Sequence, residues 1–271
     1  MVKIAVAGGT GTAGRMVVAE LVRRGFEARA LSRHNPEADD PQRVKDAQYF
    51  QTDVRTGNGL EEALAGVDAV IETLDGKTGA ALRALPETSR TLLRAAQAAG
   101  IGRAVLLSIV NSDKSDYGYY KVQAERASLY RNAGFETTVV YATQFHDLID
   151  SIFASGARIG LIPAFRGVSF QPIATADAAT ALVDAAVGQP HTESVTVGGP
   201  EVLSMQQLAR QWKASGRGRG LIVPVPLPGS FGRFLRSGQN LVPDRSYGGV
   251  TFQDWLAARQ GSAAEHPADR G

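Results

Sequence analysis

The chain contains no cysteine, and its four histidines, His34, His146, His191 and His266, are far apart in the sequence. The absence of thiols excludes disulfide bonds, thiolate metal sites and cysteine nucleophiles. The scattered histidines match no zinc-binding spacing, so no metal site is expected. Any chemistry must therefore come from hydroxyl groups, amines, carboxylates or a bound cofactor.

The sequence also lacks long apolar runs and a strong excess of either charge. No apolar run reaches the roughly 18 residues that a membrane-spanning helix requires. The formal net charge is only +2 over 271 residues, which provides no electrostatic basis for binding nucleic acid or a membrane surface. We therefore expect a soluble cytoplasmic protein, a monomer or homodimer, whose partner is a small-molecule substrate.

Glycine, by contrast, is concentrated near the start of the chain, in VKIAVAGGTGTAGRMVVAELVRRG. An apolar strand is followed there by Gly8, Gly11 and Gly14, and then by an amphipathic helix. This order is typical of dinucleotide-binding proteins. The first glycine permits a tight turn, the second lets the backbone approach a pyrophosphate that the helix N-terminus faces, and the third permits close helix packing. The predicted cofactor-binding residues of this loop are Gly8, Thr10, Gly11, Thr12, Ala13, Gly14 and Arg15.

Beyond this loop, apolar runs alternate with helical patterns, as in βαβ units. Strands are predicted at IAVAG, EARALS, AQYFQTD, DAVIETL, RAVLLSIV and ETTVVYA. The sequence therefore predicts an α/β fold with a doubly wound parallel Rossmann sheet over residues 1–150 and a return segment at about 168–188. Residues 151–260 are less regular and are predicted to form mainly a smaller substrate-binding cap region, interleaved with the core. Residues 261–271 are predicted to be a disordered tail.

Proline and glycine indicate where two of the helices begin and end. Pro86 is predicted in the first turn of a helix that Gly100 ends, because proline suits a first turn and glycine a helix end. Gly134 is predicted to end the next helix in the same way.

Ser108 lies at the end of the fifth predicted strand, and Tyr117 and Lys121 follow it within SDYGYYKVQAERA. On a helix, a four-residue spacing places both side chains on one face. A free phenol has a pKa near 10, and a neighbouring lysine ammonium favours the phenolate, which brings the group toward the working range of an acid or base. Ser108 could then donate to a substrate carbonyl, and Lys121 could also contact the nicotinamide ribose.

The start of this helix leaves the identity of the tyrosine open. Gly118 weakens a helix interior by about 1 kcal/mol, so the helix could begin later and leave Tyr117 in a loop. Tyr119 and Tyr120 are then rival candidates for the acid/base.

Cofactor preference is indicated by the residues that follow the second predicted strand. An NAD-specific protein places Asp or Glu there to bind the ribose 2′-hydroxyl. This chain has Ser32, Arg33 and His34 instead. Because Arg33 can pair with a 2′-phosphate and Arg15 can assist from the helix start, NADP(H) is predicted in preference to NAD(H).

Five motifs taken together resemble the atypical, NmrA-like branch of the short-chain dehydrogenase/reductase superfamily. They are GGTGTAGR, SIVNSD, YYKVQAER, ATQFHDLI and GGPEVLSMQQLA, and the resemblance spans residues 1 to about 256. It implies that Tyr117 is the acid/base, that Lys121 activates it and contacts the ribose, and that Ser108 is the carbonyl donor. Asp53 resembles the adenine contact of the family, and a turn-capping role is its alternative.

The same resemblance implies an NADP(H)-dependent oxidoreductase that transfers a hydride between the nicotinamide and a small carbonyl, quinone-like or alkene substrate. The alternative is a non-catalytic NADP(H)-sensing regulator that binds a protein partner.

Four further positions are ambiguous or depend on the resemblance. Glu72 interrupts the apolar strand DAVIETL, and a solvated strand end is favoured there over a buried carboxylate with a raised pKa. His146 follows the sixth strand, where the switch-point rule places substrate, and is either a substrate contact or a structural histidine. Asn111 and Gln144, which belong to two of the motifs, complete the predicted substrate contacts.

Overall fold

A computed structural model of the protein describes residues 1–188 and 194–264, which form eleven strands and nine α-helices. The strands are β1 Lys3–Ala7, β2 Glu27–Ser32, β3 Gln48–Gln51, β4 Ala69–Glu72, β5 Arg103–Ile109, β6 Glu136–Ala142, β7 Leu161–Phe165, β8 Ser169–Phe170, β9 Ser194–Val197, β10 Leu203–Ser204 and β11 Leu221–Val225. The helices are α1 Thr12–Arg23, α2 Leu60–Leu64, α3 Gly79–Ala98, α4 Gly118–Arg131, α5 His146–Ala157, α6 Thr175–Val187, α7 Met205–Ala214, α8 Gly229–Arg236 and α9 Phe252–Ala264.

The central sheet has the strand order β3-β2-β1-β4-β5-β6-β9. Strand β1 pairs in parallel with both β2 and β4. The chain adds strands first on one side of β1 and then on the other, and this change in strand order is the switch point of a doubly wound fold. Ala5 and Val6 of β1 have no exposed surface, as is usual for a parallel strand covered on both faces. The predicted Rossmann fold is confirmed, and all six strands predicted from apolar runs are present.

Helix α1 shows why the chain folds locally as it does. Its buried residues follow the spacing of one helical stripe, which packs on the sheet. They are Gly14, Val17, Val18 and Leu21. Gly25 and Gly100 have φ values of +79° and +71° two residues after the ends of α1 and α3, a conformation that ends helices and favours glycine. Gly134, with φ +78°, lies three residues after the end of α4.

Helix α3 begins earlier than predicted. Pro86 lies inside this helix, and the N–H of Leu82 already donates to Thr78 O at 3.3 Å. The prediction that Pro86 occupies the first turn is therefore wrong. Proline removes one helical hydrogen bond, but Leu85 and Pro86 are both buried, and this packing outweighs the local preference.

The chain divides into two compact units. Unit 1 comprises Met1–Ala142 and Ala178–Thr196 and contains nearly all of the central sheet. Unit 2 comprises Thr143–Asp177 and the described residues from Val197 onward. The first boundary thus follows β6 directly, and the segment that returns to unit 1 begins within α6.

Unit 2 is built around two small sheets, in which β7 pairs in parallel with β11 and β8 pairs antiparallel with β10. Trp212 of α7 packs on Phe153 of α5, with ring centroids 5.8 Å apart, and its indole N–H donates to Asp150 Oδ1 at 2.6 Å.

Helix α9 continues through Ala264, so residues 261–264 are helical and the prediction of a disordered tail is wrong for them. Residues 265–271 of that predicted tail lie outside the described residues. Within residues 1–188 and 194–264, no helix has the length and hydrophobicity that crossing a bilayer requires.

Candidate functional site

The loop after β1 forms a tight turn at the carboxyl edge of the sheet. Gly8 has φ +85°, a left-handed conformation that favours glycine. Its N–H donates to Leu31 O at 3.0 Å, and its carbonyl oxygen accepts from the N–H of Gly11 at 2.9 Å. A Cβ on Gly14 would lie 2.0 Å from that carbonyl oxygen, so only glycine fits where α1 meets the turn.

Gly11 is less crowded by the protein than the other two glycines. Its φ of −74° is ordinary, and an added Cβ would meet only the Gly8 carbonyl oxygen, at 3.3 Å. Gly11 is the N-cap of α1, and neither a side-chain cap nor an acidic residue occupies the first turn. The N-terminal N–H groups and the helix dipole therefore face an open space that suits a phosphate. These residues fit the pyrophosphate of a dinucleotide cofactor.

Thr73 holds the same loop, although nothing in the sequence singles it out. Its hydroxyl donates to the carbonyl oxygens of Ala7 and Gly8, at 3.0 and 3.4 Å. Because Thr73 follows β4 directly, the end of β4 is bound to the glycine loop. A threonine after an apolar strand gives no sign of this contact, which depends on the pairing of β1 with β4.

A cleft of about 280 Å³ lies beside the glycine loop within unit 1. Arg15 donates to Gln42 Oε1, and Ser32 Oγ donates to His34 O at 2.6 Å, which orders the turn after β2. Arg33 in this turn is exposed, and within the described residues its guanidinium has no hydrogen-bond or ion-pair partner. The cleft is lined by Gly9, Thr10, His34, Asn35, Pro36, Asp40, Gln42 and Tyr49.

Asp53 caps a turn after β3. Its Oδ1 accepts the N–H of Arg55 at 3.0 Å, and its own N–H donates to Asn58 O at 3.0 Å. The structure thus shows the turn-capping alternative, and the adenine contact stays a prediction.

Tyr117 stands directly before α4 as its N-cap, with its N–H donating to Ser115 Oγ at 3.2 Å and its side chain 41% exposed. Lys121 lies one turn later, where its N–H donates to Tyr117 O at 3.0 Å and its ammonium pairs with Asp116 at 3.1 Å. Ser108 of β5 is buried, and its hydroxyl has no hydrogen-bond partner among the described residues. The predicted catalytic residues therefore occupy the carboxyl end of β5 and the start of α4, at the sheet edge where such folds bind ligands.

Tyr119 and Tyr120 are in different environments from Tyr117. The hydroxyl of Tyr119 donates to Asp75 Oδ1 at 3.0 Å, and burial together with this carboxylate raises the pKa of Tyr119. Tyr120 is only 5% exposed. A phenol whose anion is disfavoured is a poor general base, so the exposed Tyr117 is the best placed of the three.

Glu72 is fully buried, which makes the prediction of a solvated strand end wrong. Its Oε1 accepts from Arg126 Nη2 at 2.8 Å and from Ser89 Oγ at 2.9 Å, and its Oε2 accepts from Tyr130 Oη at 2.7 Å. The arginine lies 54 positions away on α4. No pattern local to β4 could indicate that this partner is available.

His146 has the surroundings of a structural histidine in unit 2, which is one of its two alternatives, and its substrate contact stays a prediction. Its ring is fully buried, and Nε2 forms a hydrogen bond with Val250 O at 3.1 Å. The ring centroids of Phe252 and Trp255 lie 5.5 and 5.6 Å from that of His146. Helix α9 therefore packs against this ring.

The other two predicted substrate contacts stay predictions. Gln144 is buried, and its Oε1 lies 3.5 Å from Asn240 Nδ2 in unit 2. Asn111 in unit 1 has φ +50° and precedes a short 3-10 turn at Ser112–Lys114.

The burial of His146 predicts an acid sensitivity of unit 2. Burial lowers the pKa of His146 from 6.5 to about 4, against the opposing effects of the Val250 carbonyl and Asp147. Because the unfolded chain takes up this proton more readily, stability is complete above the unfolded pKa and falls as the pH drops from 6.5 toward 4. We expect the free energy of unfolding to fall by about 2 to 3 kcal/mol over this range, and we expect His146→Phe to remove this pH dependence.

Urea unfolding at about pH 7.5 and about pH 4.5, followed by tryptophan fluorescence, measures this loss. Both tryptophans, Trp212 and Trp255, lie in unit 2. An equal pH dependence in the parent protein and in His146→Phe would contradict the prediction.

A family model described as NAD(P)H-binding matches residues 8–186. The curated protein High Chlorophyll Fluorescence Phenotype 244, chloroplastic, from Arabidopsis thaliana is 31% identical over 112 residues, which cover 41% of this chain and 28% of that relative.

Solved structures share the fold over nearly the whole chain. The Escherichia coli NADPH-dependent quinone oxidoreductase QOR2, complexed with NADPH, has a TM-score of 0.74 at 16% identity and covers 95% of this chain and 99% of its own. The Thermus thermophilus UDP-glucose 4-epimerase, complexed with NAD, has a TM-score of 0.73 at 14% identity and covers 96% and 99%. At these identities the likeness shows a common fold.

Proposed function

Because this chain belongs to the NAD(P)H-binding family, we propose that it is an NADP(H)-dependent oxidoreductase of the atypical short-chain dehydrogenase/reductase type. Its proposed substrate is a small carbonyl, quinone-like or alkene compound. The observation that carries the proposal is the position of Tyr117 and Lys121 at the start of α4, the α-helix that follows β5, in the same unit as the glycine loop.

The glycine loop and the turn after β2 are proposed to hold the cofactor. Gly11 leaves space for the pyrophosphate, and the N-terminal N–H groups of α1 donate to it. Arg33 and Arg15 would bind the 2′-phosphate of NADP(H). A bound nicotinamide supplies or accepts the hydride, which the side chains of this protein cannot do.

Tyr117 is proposed as the acid/base. In the reduction of a carbonyl, its phenol gives a proton to the carbonyl oxygen, and its exposure lets solvent return that proton. Lys121 lies one helical turn after Tyr117 and is proposed to assist this proton transfer and to contact the nicotinamide ribose. The Ser108 hydroxyl, which has no hydrogen-bond partner within the described part of the chain, is suited to donate to the same oxygen, which would then have two donors.

The test is a screen for NADPH oxidation against quinones, enones and ketones, with quinones first because the E. coli structural neighbour is a quinone oxidoreductase. Turnover of at least one of these classes supports the proposal. Tight NADPH binding without any turnover, together with a protein partner captured only when NADPH is present, would support the sensing regulator instead.

Cofactor preference depends on Arg33. We expect NADPH to bind more tightly than NADH, and Arg33→Asp to narrow or reverse this preference, because it replaces a phosphate partner with a repelling charge. The loss of one charged hydrogen-bonding pair corresponds to roughly ten- to a hundredfold in affinity. Titration of both cofactors, followed by the fluorescence of the reduced nicotinamide, measures the effect. Arg94→Asp, at an exposed arginine of α3, is the matched control, and equal NADPH and NADH affinities in the parent protein would refute the assignment.

A further inference from the structure

The buried groups around Glu72 form one network within unit 1. Glu72, Ser89, Arg126 and Tyr130 are each at most 1% exposed. The guanidinium of Arg126 donates to Glu72 Oε1, to Ser89 Oγ at 3.1 Å and to Gln123 Oε1 at 2.7 Å. The network therefore joins the end of β4 to helices α3 and α4.

Helix α4 contributes one of its faces to this network. Gln123, Arg126 and Tyr130 are separated by three and four residues, so their side chains lie on one stripe of the helix. Tyr119 continues the same stripe, and its hydroxyl donates to Asp75 in the loop after β4. At 100° per residue, Lys121 lies on nearly the opposite side of the helix. Locking the buried stripe thus sets the direction in which Lys121 points.

The segment from Glu72 to Asp75 connects α4 to the glycine loop. Glu72 binds Arg126, Thr73 binds the carbonyl oxygens of the glycine loop, and Asp75 binds Tyr119. Three positions of a four-residue stretch thus make the polar contacts between the two parts of the proposed reaction centre.

A buried ion pair is weak evidence for a role in stability. Removing two charges from water is unfavourable, and replacing a buried ion pair with apolar residues of similar volume is often neutral or stabilising. The place of this pair, fully buried and on the helix that begins at the proposed reaction residues, points to a role in positioning that helix.

We propose that Glu72 and Arg126 are positioning residues that hold α4 at a fixed rotation against β4, so that Tyr117 and Lys121 are kept in register with the glycine loop. This proposal rests on the proposed function. Neither residue touches substrate or cofactor; both act through the helix that carries Tyr117 and Lys121.

The decisive variant is the apolar triple replacement Glu72→Met, Arg126→Met and Tyr130→Phe, which leaves no unpaired charge in the core. We expect it to fold, to bind NADPH within about threefold of the parent protein, and to keep KM within about threefold, while kcat falls roughly ten- to a hundredfold, because small misplacements of reacting groups have effects of this size. A kcat within about twofold of the parent would overturn the proposal and leave the network a folding role only.

Arg29→Met is the matched control. Arg29 is also a buried arginine of unit 1, and it donates to the carbonyl oxygens of Ala63 and Ala65, away from α4. We expect this control to lower the unfolding temperature without changing kcat. An equal loss of kcat in Arg29→Met would mean that destabilisation alone slows turnover, and this would overturn the proposal.

Arg126→Lys serves if the triple variant does not fold, since it keeps the charge but not the forked geometry of the guanidinium. We expect a circular dichroism spectrum like that of the parent protein and a kcat at least threefold lower, by the same misplacement of Tyr117. An unchanged kcat in a folded Arg126→Lys variant would overturn the proposal.

A readout without substrate separates this proposal from the proposed function. With ring-labelled ¹³C-tyrosine, the NMR signal of Tyr117 is assigned through Tyr117→Phe. We expect this signal to shift in the triple variant and to stay in place in Arg29→Met. If the parent protein turns over no substrate, the proposed function fails. Independently of turnover, an unchanged Tyr117 signal in the triple variant would refute the positioning role.

Discussion

Tyr117→Phe is expected to lower turnover of the best substrate about 10²- to 10⁴-fold while NADPH affinity stays nearly unchanged. The substitution keeps the ring and its packing but removes the proton that the proposed mechanism transfers. Steady-state NADPH oxidation and equilibrium NADPH titration measure the two quantities separately. Lys121→Ala is expected to lower both, because its ammonium serves the phenol and the ribose.

Tyr119→Phe and Tyr120→Phe are the matched controls, because the three rings lie within 5.7 to 6.3 Å of one another. Tyr120→Phe should keep most of the activity, since Tyr120 is buried. Tyr119→Phe also removes the Asp75 contact of α4, and it should lower turnover far less than Tyr117→Phe does. A large loss confined to either control would assign the acid/base to that tyrosine without changing the class of enzyme. Full activity in Tyr117→Phe would contradict the proposed mechanism.

Gly11→Val is expected to weaken NADPH binding at least a hundredfold, or about 2.7 kcal/mol, in a protein that still folds. The backbone at position 11 is already in a conformation that valine adopts, and an added Cβ meets only the Gly8 carbonyl oxygen. The branched side chain would instead fill the space proposed for the pyrophosphate. Titration followed by NADPH fluorescence gives the affinity, and circular dichroism verifies the fold.

Gly102→Val is the control for this substitution. Gly102 lies before β5, and an added Cβ there meets nothing within 4 Å. The control should bind NADPH like the parent protein. Undiminished binding by a folded Gly11→Val variant would show that the glycine loop does not hold the cofactor.

Much of unit 1 is predictable from sequence because its signals are local. Parallel strands buried on both faces appear as short apolar runs, and each of the six runs identified is a strand. Gly100 ends its helix because a left-handed residue is needed there. The prediction for Pro86 is wrong because its position depends on tertiary packing. Burial within α3 overrides the local preference of proline for a first turn.

Some features of the candidate site can likewise be predicted from the sequence, whereas others depend on tertiary contacts. The glycine loop and the spacing of Tyr117 and Lys121 are visible in the sequence, because each lies within a single stretch of chain. Which tyrosine is exposed depends instead on the residues that cover Tyr119 and Tyr120, and Asp75, which binds Tyr119, comes from a different loop. In the sequence, His146 follows a strand end, where ligands often bind. Only the fold shows that α9, more than 100 residues later, packs on its ring.

The sequence by itself determined the doubly wound fold, the dinucleotide-binding loop and the stretch that carries the proposed acid/base, since apolar periodicity, glycine conformation and helical spacing act over a few residues. Only the tertiary structure decided the partners of the buried polar groups. In the sequence Glu72 is a lone carboxylate at a strand end, and it becomes half of a buried ion pair only when α4 packs on the sheet with Arg126 facing it. That pairing depends on the rotation of one helix against strands distant in sequence, and no local pattern encodes it.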